Sequence, residues 1–219
     1  MSSADAQRAD PAGREKDWWL RTLAVFTRPV PVFASLREDS DEAAEARQEP
    51  VLALTLLGGI AGVLATPMIG NLLDDPRRDA LVVAVLLFLA GGLYGLATYW
   101  VGGGALALGI RAAGGVGSYR QARHVLAFAV APLALELVLV LPLRLAAYGG
   151  DLFRDGGSDE TGTARWGFEA LELLFFAWAA VLLVVGVRTV HDWPVVRALG
   201  ALVLAGLALI CFALVFALL

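Results

Sequence analysis

From Ala80 to Ile110 the chain runs for 31 residues without a charged side chain. Val51–Leu73 and Ala198–Leu219 are also uncharged, Val125–Leu143 carries only Glu136, and Trp166–Val187 carries only Glu169 and Glu172. About 20 apolar residues at 1.5 Å each cross a hydrocarbon core of ~30 Å, so runs of this kind read as membrane-spanning helices. The expected fold is therefore all-α: a polytopic membrane helix bundle of five transmembrane helices preceded by short interfacial amphipathic helices. Hydrophobic residues at 58% and charged residues at 17% agree with this class. The 219 residues suffice for one bundle and leave no length for a second folded domain.

The longest run poses a counting question. As one helix it extends about 46 Å, and two crossings with a turn need roughly 35 residues or more. One crossing is expected, with the surplus tilting, protruding or bending at Gly102-Gly103-Gly104. The spans then fall near 51–70, 80–102, 125–146, 166–188 and 196–218, giving a bundle over 50–219. Gly58-x-x-x-Gly62 and Gly91-x-x-x-Gly95 would let backbones approach closely, either inside the bundle or on a homo-oligomer face.

Residues 1–17 are small and polar and read as a disordered cytoplasmic tail; they lack the pattern of a signal peptide. Residues 18–49 read as interfacial helices and a charged connector. Trp18, Trp19, Leu23 and Phe26 give the first piece an aromatic, apolar character suited to the headgroup boundary, with Arg21 and Arg28 elsewhere on the wheel. Pro29 is expected to end this helix and Pro31 to start a second one reaching Arg37. Both could lie on lipid or pack against the bundle. Glu38–Glu49 reads as the connector.

Twelve basic residues fall on the side that holds the N-terminus and five on the other. By the positive-inside rule the N-terminus is cytoplasmic and the C-terminus outside, in the plasma membrane. Sixteen arginines against one lysine, with abundant Ala, Gly and Leu, suggest a GC-rich bacterial genome. The net charge of -4 gives no argument for nucleic-acid binding. The bilayer is the expected partner, together with a membrane-protein partner or a second copy of the chain.

Chemistry is sparse. All six serines lie outside the spans, so none can serve as an intramembrane nucleophile. His124 and His191 sit at span edges without the carboxylate neighbours of a zinc site and read as packing residues. Asp151–Glu160 lacks the alternation of a calcium loop. Cys211 is the one cysteine, so there is no disulfide framework. No catalytic residue, cofactor or metal is expected. One constellation stands out: Glu136 and Glu172 lie at depths about one helical turn apart, with no Lys or Arg in the apolar middle of any span. They are either neutral structural acids, a proton or cation site, or a lipid-headgroup contact.

Thr27-Arg28-Pro29-Val30-Pro31-Val32-Phe33-Ala34-Ser35-Leu36 resembles the segment that precedes the first span in bacterial members of the Yip family. Ser118-Tyr119-Arg120-Gln121, running into Ala131-Pro132, is similar to the mid-chain region of that family. Trp178 to Arg188, with Val190-His191 and Val195-Val196-Arg197, resembles its closing hairpin. The resemblance spans roughly 21–215 and implies five spans with a cytoplasmic N-terminus. Eukaryotic members associate with Rab-type GTPases, but their Asp-Leu-Tyr-Gly-Pro signature does not occur here. The resemblance therefore implies the fold and a non-enzymatic adaptor or organiser, and not a Rab-type GTPase partner. A small transporter or permease component using Glu136 and Glu172 is the alternative.

Overall fold

The computed structural model describes residues 11–64, 80–149 and 162–218; these form helices joined by short turns, with no strand among them. The disorder expected of residues 1–10, the end of the first span and the Asp151–Glu160 loop lie outside the described residues. Ten α-helices follow in order: α1 Pro11–Ala24, α2 Pro29–Ser35, α3 Asp41–Ala46, α4 Gln48–Leu64, α5 Ala80–Ala97, α6 Gly103–Ala112, α7 Tyr119–Ala129, α8 Ala131–Tyr148, α9 Ala164–His191 and α10 Val195–Ala217. A π turn, Thr98–Gly102, joins α5 to α6.

Four stretches are long and apolar enough to cross a membrane: Val85–Ala112, Tyr119–Tyr148, Ala164–His191 and Val195–Val215. A fifth apolar helix, Gln48–Leu64, has 17 described residues. Phe88, Leu93, Leu173, Phe176 and Val203 are each more than 60% exposed. In water such a surface would aggregate; in hydrocarbon it is the solvated face. This is a polytopic helical membrane protein.

Several boundaries differ from the sequence reading, each for a local reason. Helix α1 begins at Pro11, inside the segment read as tail. Pro29 starts α2 instead of ending α1, because a proline without an N–H fits the first helical turn and the chain has already turned at Val25–Thr27. The connector is itself helical. Ser40 caps α3 by accepting the Ala43 N–H at 3.2 Å, and Asp41 and Glu42 sit favourably in its first turn. The 31-residue run is continuous helix, with a π turn at Thr98–Gly102 just ahead of Gly103 and Gly104. The third span breaks at Val130, since Pro132 cannot donate to Phe128, and restarts with Leu133 N–H on the Val130 carbonyl at 2.9 Å.

The chain forms two compact units. The first comprises Met1–Ala53, Val101–Ala129 and Leu182–Leu219. Its core is Val25, Phe33, Leu36, Val125, Phe128, Leu182 and Val187, all at most 2% exposed. A Cβ at Gly186 would lie 2.8 Å from the Phe33 ring and 2.9 Å from Val125, so glycine is what admits Phe33 here. Helix α10 packs on α6, where the Gly109 position faces the Ala201 carbonyl and Ala205. The α9–α10 turn closes with Asp192 at φ 55° and Trp193 N–H on the Arg188 carbonyl at 3.0 Å.

The second unit comprises Leu54–Trp100 and Val130–Val181. Here α4 and α5 meet backbone to backbone. A Cβ on Gly59 would lie 2.3 Å from the Gly91 carbonyl oxygen, and one on Gly95 would lie 2.3 Å from the Thr55 carbonyl oxygen. The close-approach residues are thus Gly59, Gly91 and Gly95. Gly58 faces Val130 and Gly62 faces Tyr94, both side-chain neighbours that demand less.

Candidate functional site

Two polar constellations stand out, one in each unit. In the first unit Arg47 is completely buried, at 0% exposure. A guanidinium cannot shed its proton, so burying it requires a full set of acceptors. Its Nε donates to His124 Nδ1 at 2.8 Å, one terminal nitrogen to the Glu38 carbonyl at 2.8 Å, and the other to Asp39 Oδ1 at 3.3 Å. The Trp18 ring lies under it, 5.7 Å from the guanidinium carbon. Arginine only donates, so Nδ1 of His124 must present a lone pair. His124 is therefore the neutral imidazole with its proton on Nε2.

Asp39 extends the network. It accepts from Ser118 and from Arg120 Nε, the latter at 2.9 Å, while Arg120 also reaches Asp41 at 2.6 Å. Burial pushes the Asp39 carboxyl up. The hydrogen bonds from Ser118 and Arg120 and the charges of Arg120 and Arg47 outweigh it, holding the group below its ordinary value. Gln121 donates to the Leu36 carbonyl at 2.9 Å, and Arg37 donates to the Thr189 carbonyl at 2.5 and 3.0 Å. The two short helices and α3 are thereby tied to α7 and to the end of α9. Sequence reading missed this site because Glu38–Glu49 looks like a solvated charge run. The available signal was a lone arginine among acids upstream of a histidine-bearing span edge.

The aromatic helix divides differently from its sequence reading. Trp18 and Trp19 are adjacent and so point about 100° apart on a helix. Trp18 turns inward at 6% exposure, 5.7 Å from the Phe128 ring centroid, together with Thr22 and Val25. Trp19, Leu20 and Leu23 point outward at 41%, 58% and 66% exposure. Phe26 is half-buried in the turn after α1. Trp18 is thus a core residue and Leu20 takes its place on the exposed face.

In the second unit Glu172 lies 3.9 Å from Arg144, which also sits 6.0 Å over the Phe168 ring. Tyr148, one turn beyond Arg144, packs on Phe168 at 5.5 Å. Glu136 lies on the same helix as Arg144, about 12 Å along it, and within electrostatic reach of both Arg144 and Glu172. No Lys or Arg lies in the apolar middle of a span, but Arg144, one turn from the end of α8, comes within ion-pair distance of Glu172. Among the described residues no three His, Cys, Asp or Glu side chains form a metal-holding group. His191 stacks on Trp193 at 4.9 Å.

A family model described as the Yip1 domain matches residues 23–218. Among curated proteins and among solved structures the chain has no match.

Proposed function

Because the chain belongs to the Yip1-domain family over residues 23–218, we propose that it acts as a non-enzymatic adaptor or organiser in the membrane it spans. In this reading it resides in a bacterial plasma membrane with its N-terminus in the cytoplasm and its C-terminus outside. The observation that carries the reading is the buried Arg47, which fixes α1 to α3 into a platform. A platform held by three hydrogen-bonded partners and the Trp18 ring presents Trp19, Leu20 and Leu23 as a fixed apolar surface, and a fixed apolar surface rimmed by charge is an interaction surface. The Arg144 guanidinium 3.9 Å from Glu172 favours a structural role for that acid, because a carboxylate paired with a fixed cation is less free for transport.

A photo-crosslinking residue at Leu23, activated in native membranes, tests this. A discrete protein adduct, or a dimer of the chain, is the expected product. Adducts with lipid alone would overturn the adaptor reading. Loss of proton flux in reconstituted Glu136→Gln vesicles, relative to wild type, would instead install the transporter.

A further inference from the structure

A cleft of about 500 Å³ opens between α1, α2 and α3 in the first unit, a size typical of small-ligand pockets. Trp18, Asp17 and Arg21 line it from α1, Arg37 and Glu38 from the turn after α2, and Glu42 from α3. Asp17 and Arg21 stand one turn apart with opposite charges, the spacing that favours a helical ion pair. Yet they make none. Arg21 lies instead over the Trp18 ring, 4.8 Å from its centroid, and both charged side chains stay exposed. Across the cleft, Arg37 directs Nε and one terminal nitrogen at the Thr189 carbonyl and lies 3.7 Å from Asp192, and the Glu38 carboxylate accepts from Ser40 at 3.4 Å.

Among the described residues the lining holds three carboxylates and two guanidiniums around an aromatic and alanine floor. A simple anion entering it meets three like charges, and a simple amine meets two. A molecule carrying both signs satisfies both sets. Guanidinium geometry matches phosphate oxygens, and a primary ammonium offers three donors to carboxylates, which a quaternary ammonium does not. We propose that this cleft binds a phosphoethanolamine group, supplied by a phospholipid headgroup or by a soluble phosphoethanolamine. The lipid source rests on the reading above that α1–α3 lie at the membrane interface.

The test is a binding titration of the full chain in detergent micelles, followed by native mass spectrometry and by tryptophan fluorescence. Phosphatidylethanolamine should bind saturably at one per chain, about tenfold tighter than phosphatidylcholine or phosphatidylglycerol. Arg21→Gln and Asp17→Asn, both at exposed side chains, should each weaken it about tenfold, the size of one charge-assisted hydrogen bond. Circular dichroism of each variant checks that the helices persist. Competition by free phosphoethanolamine at millimolar concentration would assign the soluble source, and its failure beside bound lipid would assign the headgroup. Equal affinity for all three lipids, or unchanged binding in both variants, would overturn the proposal. Failure here with Leu23 crosslinks retained removes only the cleft ligand; lipid binding without protein crosslinks removes only the adaptor.

Discussion

Replacing His124 by leucine isolates the energetic role of the buried guanidinium. Leucine has a similar volume, so the change opens no large cavity, but it leaves Arg47 Nε without an acceptor at a position with 0% exposure. A lost hydrogen bond to a charged group is worth about 1.5–3 kcal/mol, and leaving a charged donor unsatisfied adds to that. The expected loss is about 2–4 kcal/mol. His124→Asn is the informative control, because its amide oxygen can occupy the position of Nδ1 and keep the acceptor. Its cost should fall to about 1–2 kcal/mol, from the smaller side chain alone. The double variant Arg47→Met/His124→Leu should cost less than the two single changes summed, since it removes the buried charge along with its partner. Reversible unfolding in mixed detergent micelles with increasing dodecyl sulfate, read by circular dichroism, gives all the values. Leucine and asparagine variants of equal stability, or a leucine variant within about 0.5 kcal/mol of wild type, would refute the reasoning.

Gly59→Ala and Gly95→Ala should each destabilise by about 1–3 kcal/mol in the same assay, because each new methyl meets a carbonyl oxygen at 2.3 Å. Gly200→Ala, with nothing within 4 Å of the added methyl, should gain about 0.5–1 kcal/mol. Asp39 is held below its ordinary value, so its contribution is fully present above the unfolded carboxylate range. It is lost as pH falls through the lower folded value. Acid release of the short helices, measured as new accessibility of a cysteine at Val32, should therefore occur below about pH 4 and be present already at neutral pH in Asp39→Asn. A cysteine at Val116, 99% exposed, should react with a membrane-impermeant label only after cell lysis, and one at Ser158 should react in intact cells; the reverse would invert the orientation.

What sequence could and could not reveal follows from the range of the interactions involved. Spans are written in local composition, so the apolar run Ala80–Ile110 was legible from the chain alone, whereas the π turn falls at Thr98–Gly102, mostly ahead of the glycines singled out. Glycine pairs were legible as a class but not by member. Two helices in contact share a line of residues, and only the partner helix decides that Gly59 rather than Gly58 lies on it. The same holds for Trp18 against Trp19. Arg144 was legible as a base near the end of the third span, but only the pairing of α8 with α9 decides that it lies opposite Glu172. Arg47 was least visible, because each of its acceptors is ordinary by itself.

The separation along the chain between the partners of that lock also orders events during synthesis. The short helices are made before the residues that hold them: His124 follows Arg47 by 77 residues and Thr189 follows Arg37 by 152. Until those residues have been made, Trp18 and Phe33 have no Phe128 or Val125 to cover them. Helices made before their partners are thus among the last parts to settle, and the bilayer surface is their natural shelter in the interval.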